Sequence, residues 1–125
     1  MSEGSTSTEE LREAIQNLSH NVIESLGDVL METAGATLAQ EAIRSAGKAG
    51  LLYREACRSK SRSEFYASLP PVTESVDAVV YWLTLAKDCG QLPEERIAEL
   101  IGLGRDTSAR LRATKLSSSR RSRSE

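Results

Sequence analysis

The chain has 125 residues, a net charge of −2 at pH 7, and only one Phe, three Tyr and one Trp. This length allows one domain with a core of three or four helices, and the scarcity of aromatic residues argues against a β-sandwich. The small net charge argues against a strong overall attraction to nucleic acid or anionic membranes.

The near-neutral total hides four alternating blocks of charge. Residues 1–43 carry eight acids and one base, residues 44–62 six bases and one acid, residues 63–104 seven acids and two bases, and residues 105–125 seven bases and two acids. Opposite blocks can pair within a bundle or between subunits. The alternative is that they are solvated faces that complement the helix dipoles.

Membrane, secretion and metal signals are absent from the sequence. The N-terminal residues show no charged-then-apolar signal segment, and the longest apolar run, Val79–Leu83, is too short to span a bilayer. Cys57 and Cys89 lie inside predicted helices without metal-ligand spacing, which predicts buried apolar thiols. We therefore expect a cytoplasmic protein with reduced thiols, no membrane contact, no metal and no cofactor.

The first helix is predicted over about residues 8–33, after a disordered N-terminus of residues 1–6. A capping-box pattern, Ser7 with Glu10, marks its start. Apolar residues then recur at steps of three and four, which is typical of the buried face of a bundle helix. These residues are Leu11, Ile15, Leu18, Val22, Leu26 and Val29.

The second helix is predicted over residues 37–58, with Thr37 and Gln40 as a second capping box. One side carries mostly small residues, which allow a neighbouring helix to come close: Ala39, Ala42, Ala46, Ala49, Tyr53, Ala56 and Cys57. The opposite side carries four cations within an arc of about 120°. This basic stripe consists of Arg44, Lys48, Arg54 and Arg58, with Glu55 among them. Gly47 and Gly50 predict a close helix contact or a local kink.

The third helix is predicted over residues 63–89, with Ser61 and Glu64 as a third capping box. Pro70 and Pro71 predict a kink or short break near Leu69, because proline disrupts a helix interior. The predicted buried face is Val72, Val76, Val79, Leu83 and Ala86. Further apolar residues outside that face predict burial against other subunits: Val80, Trp82 and Leu85.

The fourth helix is predicted over residues 93–114, after a C-terminal cap at Gly90 and with Pro93 in its first turn. Its predicted buried face is Ile97, Leu100, Ile101, Gly104, Ser108 and Leu111. Residues 116–125 predict a disordered basic tail. Four amphipathic segments with short connections predict an all-α, antiparallel up-down-up-down four-helix bundle over residues 7–115.

A set of residues in and around the second and third helices matches a known pattern in register. These residues are Arg44, Ala46, Glu55, Ser61, Glu64, Phe65, Leu69, Ser75, Leu83, Leu85, Ala86, Gly90 and Leu92. On them the chain resembles the small four-helix-bundle proteins encoded in intervening sequences of bacterial 23S ribosomal RNA genes, over about residues 38–112. The superfamily of those proteins includes the accessory variability proteins of diversity-generating retroelements.

This resemblance implies a four-helix bundle that assembles into a homo-oligomer, a pentameric ring. For the retroelement branch it also implies binding of a reverse transcriptase and of RNA or DNA. The chain departs from the family pattern at several positions. Gly50-Leu51-Leu52 replaces a Pro-x-Asn, Ala56 and Glu74 replace glycines, Ala78 replaces a glutamate, and the prolines at positions 70 and 71 are not typical of the family.

Catalytic chemistry finds little support in the sequence. A di-metal carboxylate bundle requires Glu-x-x-His pairs on facing helices, and the chain has one histidine, His20, with Glu24 four residues later. The glycines occur singly, so no phosphate loop is present. We expect no enzymatic activity and no small-molecule substrate.

Two functional hypotheses follow. The first is an accessory or scaffold protein that binds nucleic acid, or a reverse transcriptase, through basic surface. The second is a protein-interaction module without nucleic-acid binding, in which the basic stripe pairs with the acidic first helix of a neighbour. The stripe has no interleaved aromatics for base stacking. The candidate binding residues are Arg44, Lys48, Arg54, Arg58, Lys60, Arg62, Arg110, Arg112, Lys115, Arg120, Arg121 and Arg123.

Overall fold

The structure is a computed structural model that describes residues 3–26, 35–90 and 94–124, with side chains described over residues 8–26, 36–90 and 94–114. Every described element is a helix. In chain order they are α1 (Glu3–Leu26), α2 (Gly35–Cys57), α3 (Arg62–Ala67), α4 (Leu69–Asp88) and α5 (Glu94–Ser124). The described part of the chain is therefore an all-α bundle of four long helices and one short one.

The four long helices form a closed circuit. Helix α1 packs against α2 and α5, and α4 packs against the same two helices, most extensively against α2. The short α3 contacts α2, α4 and α5 near the turn that follows α2. Every long helix therefore buries one face against two neighbours and leaves the opposite face to solvent.

The core consists of the apolar faces that the sequence predicts. Each fully buried Leu, Ile or Val contributes roughly 1.5–3 kcal/mol relative to an exposed one. Val29 of the predicted first face lies outside the described residues, and Leu69 and Ser75 join the predicted face of α4. The buried residues on these faces are Leu11, Ile15, Leu18, Val22 and Leu26; Ala39, Ala42, Ala46, Ala49, Tyr53 and Ala56; Val72, Val76, Val79, Leu83 and Ala86; Ile97, Leu100, Ile101, Gly104, Ser108 and Leu111.

The helices extend beyond the ends that the sequence predicts. Helix α1 begins at Glu3, inside the N-terminus predicted to be disordered, and α5 continues to Ser124, through the predicted disordered tail. The chain after Gly104 contains no Gly or Pro to stop a helix, which explains why the backbone continues. The predicted end of the first helix, at residues 27–33, lies outside the described residues.

The predicted interruption near Leu69 is a break between two helices. Helix α3 ends at Ala67 and α4 begins at Leu69, with Ser68 between them. The two prolines therefore lie in the first turn of α4, where the backbone N–H groups have no helical partner and their loss is harmless. The N-cap of α3 is the predicted Ser61, whose Oγ accepts a hydrogen bond from the Glu64 N–H at 3.1 Å.

Close helix contact occurs at a different glycine from those predicted. A Cβ at Gly47 would meet no atom within 4 Å, and one at Gly50 would meet only Ser19 Oγ at 3.9 Å. The prediction of a close contact is therefore wrong at Gly47, and at Gly50 a side chain would meet α1 only at an ordinary van der Waals distance. Gly104 is the tight position, because a Cβ there would lie 2.6 Å from Val80 Cγ2. Gly90 caps α4 with φ +66°, as predicted.

The prediction of buried thiols is also wrong. Cys57 and Cys89 are both exposed. Cys57 is the last residue of α2, at the edge of its buried face, and Cys89 is the C-cap of α4. Both positions are at helix ends, where no further turn covers them.

None of the helices in the described part of the chain combines the length and the apolar character that crossing a bilayer requires.

Candidate nucleic-acid interface

The basic stripe of α2 lies on the surface. All four of its cations are exposed, as are Lys60 and Arg62 in the turn that follows. Within residues 8–26, 36–90 and 94–114, none of these six side chains forms an ion pair. Their charge is therefore not neutralised by the described acids of the same chain, which leaves it available to an anionic partner.

Two of the predicted binding residues have acidic partners instead. Arg110 Nε donates to Asp106 Oδ2 at 3.0 Å, and its Nη1 lies 3.9 Å from Glu10 Oε2. Arg112 Nη2 donates to Asp77 Oδ2 at 2.6 Å. Both lie on α5, which does not pack against α2, so they are separate from the basic stripe. The side chains of Lys115, Arg120, Arg121 and Arg123 lie outside the described ones.

A cavity of about 460 Å³ opens at the turn between α2 and α3. We call it the turn cavity. Its charged lining residues are Arg12, Lys60 and Arg62, and no carboxylate contributes to it. Hydroxyl groups of Ser59 and Ser61 and the rings of Phe65 and Tyr66 complete much of the wall. The turn cavity therefore combines positive charge, hydrogen-bonding groups and aromatic surface.

A second concavity, of about 800 Å³, runs between α1 and α2. We call it the interhelix groove. Gly47 and Gly50 form part of its floor, and Leu51, which is 60% exposed, contributes apolar surface. Its charged lining residues are Arg12 and Arg54, with His20 beside them, and it too contains no carboxylate. Because neither glycine carries a side chain, this part of the groove stays open beside the helix contact of Ser19 with Ala46.

Arg12 lines both concavities and was missed by the sequence reasoning. It lies on α1, in the acidic first block, and only the fold brings it beside the end of α2. One signal could have found it, since it is the single base among the first 43 residues.

Aromatic side chains also reach this surface, although the stripe itself has none. Phe65 and Tyr66 of α3 pack edge to face with their centroids 5.5 Å apart, and Tyr53 contacts Phe65 in the same way at 6.1 Å. Phe65 and Tyr66 lie on α3, outside the stripe on α2, and are not among the predicted binding residues. The turn at residues 58–61 folds α3 back and places them in the turn cavity.

Tyr53 lines the interhelix groove and anchors α2 to α1 there. Its hydroxyl donates a hydrogen bond of 2.8 Å to the carbonyl oxygen of Thr8. Burial raises the pKa of Tyr53 above its ordinary value, and the neighbouring Cys57 raises it further. The neutral phenol is therefore the form that the fold stabilises.

The histidine pair offers no metal centre. His20 Nε2 lies 3.2 Å from Glu24 Oε2, and the two side chains are 78% and 67% exposed. In the part of the chain that the structure describes, no group of three His, Cys, Asp or Glu residues could hold a metal ion. His20 is an ordinary surface histidine on α1.

Fold and surface together define an all-helical bundle with a basic, carboxylate-free concave face. No protein-family model matches the chain. No curated protein matches it either. A solved structure does: a protein of unknown function from the S23 ribosomal protein family of Bacteroides thetaiotaomicron is 19% identical, with a TM-score of 0.59, and the match covers 88% of this chain and 95% of that one. At this identity the likeness shows the fold.

Proposed function

We propose that this chain is a non-enzymatic accessory or scaffold protein that binds nucleic acid through the basic surface of α2 and the α2–α3 turn. One observation carries the proposal. Six exposed cations cluster on this surface and form no ion pair with the described acids, whereas Arg96, Arg110 and Arg112 elsewhere on the bundle are paired and the unpaired Lys87 and Arg105 lie on other helices. Free cations of this kind neutralise phosphates and release their counterions.

The same chain is proposed to assemble with copies of itself, in the pentameric ring implied by the family resemblance. Tyr81 on α4 is 59% exposed and packs edge to face on Trp82 at 5.0 Å, so an aromatic surface extends outside the bundle core. Exposed aromatic surface of this kind is common where proteins associate. A ring would also multiply the basic surface by the number of subunits.

The proposed helix order within each subunit is antiparallel, up-down-up-down. Two hydrogen bonds support this order for α1 and α2, because Ser19 bonds to Ala46 whereas the earlier Thr8 bonds to the later Tyr53. The contacts of α5 with α1 follow the same rule, with Ser25 beside Arg96 and Glu10 beside Arg110. Short connections between sequential helices favour this arrangement.

The physiological setting is proposed from resemblance alone. The solved neighbour's family is named for a ribosomal protein, which fits a role beside RNA in the cytoplasm. The retroelement branch adds a reverse transcriptase as a candidate protein partner, with the basic surface as the contact for its nucleic acid.

Fluorescence anisotropy at low salt tests the nucleic-acid proposal. The variant carries Arg54→Glu and Arg58→Glu, and the matched control carries Lys87→Glu and Arg105→Glu, the same charge change on α4 and α5. We expect micromolar binding by the wild type and the control, and a loss of at least about tenfold in the α2 variant. Equal affinity of both variants, or no binding by the wild type, would exclude the proposal.

A protein-interaction module without nucleic-acid binding is the second candidate. Leu51 favours it, because this apolar residue is 60% exposed within the basic stripe. In this case the stripe pairs with acidic residues on α1 of a neighbouring copy, such as Glu9 and Glu13, which are exposed. Light scattering of the Arg54→Glu, Arg58→Glu variant separates the candidates. A reduced mass supports the second, and an unchanged mass argues against it.

A further inference from the structure

We infer that the turn cavity and the interhelix groove form one continuous track that binds single-stranded nucleic acid in preference to duplex. This inference rests on the proposed function and names its ligand. Arg12 and Cys57 line both concavities, so the two are adjacent at these residues. The track therefore runs along the α1–α2 seam and ends at the α2–α3 turn.

The charge of the track suits a phosphate backbone. Its lining includes Arg12, Arg54, Lys60 and Arg62, and no Asp or Glu lines either concavity. A cleft lined by one sign of charge concentrates the electrostatic potential and attracts ligands of the opposite sign. These four cations also form no ion pair within the described side chains. A polyanion is therefore the ligand class that this lining favours.

The position of the track on the seam of two packed helices favours a single strand. Helices α1 and α2 are in direct contact, since Ser19 Oγ donates to the Ala46 carbonyl oxygen at 3.0 Å. The axes of contacting helices lie roughly 8–10 Å apart. A duplex, whose major groove alone is about 12 Å wide, would contact the rim of such a seam with its outer phosphates only. A single strand can lie deeper because Gly47 and Gly50 add no side chain there.

Aromatic and apolar side chains along the track suit unpaired bases. Phe65 and Tyr66 lie in the turn cavity, half-buried and held edge to face against each other. Leu51 lies along the groove with most of its side chain exposed. Bases of a single strand expose their faces and stack on such surfaces, whereas those of a duplex are already stacked. Charge and stacking surface therefore occur together in this track.

A comparison of the affinities for single strands and for duplexes provides the first test. Fluorescent 12-nucleotide RNA and DNA single strands of mixed sequence are titrated against the wild-type protein, beside the duplexes made from them. We expect at least about tenfold tighter binding of single strands. Tyr66→Ala should lower single-strand affinity by about tenfold, and Tyr66→Phe, which keeps the ring, should not. Equal affinity for duplex and single strand, or equal behaviour of the two Tyr66 variants, would overturn the inference.

The two exposed cysteines provide a second test that requires no substitution. Cys57 lines the track, and Cys89 caps α4 and lines neither concavity. A saturating single strand should slow alkylation of Cys57 by iodoacetamide at least about fivefold, because the bound strand covers it, and leave Cys89 unchanged.

The failure of this inference differs from that of the proposed function. Binding of nucleic acid with no protection of Cys57 and no preference for single strands overturns the track and leaves the basic-stripe proposal standing. Absence of binding by every strand form at low salt removes both. Selective protection of Cys57 by RNA alone, or by DNA alone, supports the track and identifies which of the two polymers occupies it.

Discussion

Gly104 on α5 lies against Val80 on α4 at a distance that leaves no space for a side chain. A Cβ at residue 104 would lie 2.6 Å from Val80 Cγ2 and 4.0 Å from Leu18 Cδ1 of α1. The position is buried, and three helices meet there. The absence of a side chain at this residue therefore sets how closely α5 approaches its two neighbours.

We predict that Gly104→Ala destabilises the bundle despite the better helix propensity of alanine. Val80 is β-branched and has few rotamers available in a helix, so the clash must be relieved by shifting backbone. Overpacking of this kind costs about 1–3 kcal/mol. Chemical denaturation measures the change. Gly47→Ala is the control and should stabilise by up to about 1 kcal/mol, since a Cβ there meets no atom within 4 Å.

A second substitution tests whether Val80 is the cause. Val80→Ala removes the methyl group that the new Cβ would meet, so it should restore part of the stability lost in Gly104→Ala. The double variant should then show a coupling free energy of about 1 kcal/mol, typical of residues in contact. Strict additivity of the two changes would contradict this explanation.

Asp77 joins α4 to α5 through a small polar network. Its Oδ1 accepts a hydrogen bond of 2.7 Å from Ser108 Oγ, and its Oδ2 accepts one of 2.6 Å from Arg112. Arg112 also donates to the Ser108 hydroxyl. Ser108 is only 3% exposed, so its hydroxyl depends on protein partners.

We predict that Asp77→Ala lowers the free energy of unfolding by about 1 kcal/mol. A buried hydrogen bond between charged groups contributes more than about 1 kcal/mol to the free energy of unfolding. The side chains of Arg112 and Asp77 are 59% and 42% exposed, so solvent weakens their interaction. Asp106→Ala is the control, since it breaks an exposed pair with Arg110 within one helix and should cost about 0.3–0.5 kcal/mol. Thermal unfolding that ranks the two variants in the opposite order would disprove this account.

Tyr53 predicts a loss of stability at alkaline pH. Burial holds its folded-state pKa above the unfolded value of about 10. As the pH rises above about 10, the unfolded tyrosine loses its proton while the folded one keeps it, so the unfolded state is favoured by about 1.4 kcal/mol per pH unit. Tyr53→Phe should remove this contribution.

The comparison must allow for the hydrogen bond that Tyr53→Phe also removes. Loss of the 2.8 Å bond to Thr8 should destabilise the variant by about 1 kcal/mol at pH 7. The difference in unfolding free energy between wild type and variant should therefore shrink as the pH rises past about 10. A difference that stays constant across that range would show that the two states bind the phenolic proton equally.

The buried faces of the helices could be predicted from the sequence because they depend only on the spacing of apolar residues along the chain. Leu11, Val76 and Leu100 repeat with their neighbours at steps of three and four, and a helix places such residues on one side. Helix ends were harder, since Ser and Arg residues near Ser124 neither favour nor stop a helix strongly. Sequence also fails where contact depends on the partner helix, as at Gly47 and Gly104.

The part of the candidate site that lies on one helix could be predicted from the sequence, and the part that depends on helix packing could not. The stripe from Arg44 to Arg58 lies on one helix, so its common face follows from spacing. Arg12 and Tyr66 are distant in sequence and enter the track only when α1 and α3 pack beside α2. Arg112 looked equivalent to the stripe cations, but its partner Asp77 is 35 positions away and could not be identified from spacing.

The exposed thiols make a direct prediction about reactivity. Cys57 and Cys89 both occupy helix ends at the surface, so both should react with Ellman's reagent in the folded protein. We expect two thiols per chain to be titrated without denaturant, and the same total in guanidinium chloride. Cys57→Ser and Cys89→Ser should each reduce the native count by one. If fewer than two thiols react in the folded protein and both react in guanidinium chloride, the prediction is wrong and the chain itself or a second copy covers the thiols. Dilution of the folded protein before the titration distinguishes these two cases, because it uncovers only thiols that a second copy covers.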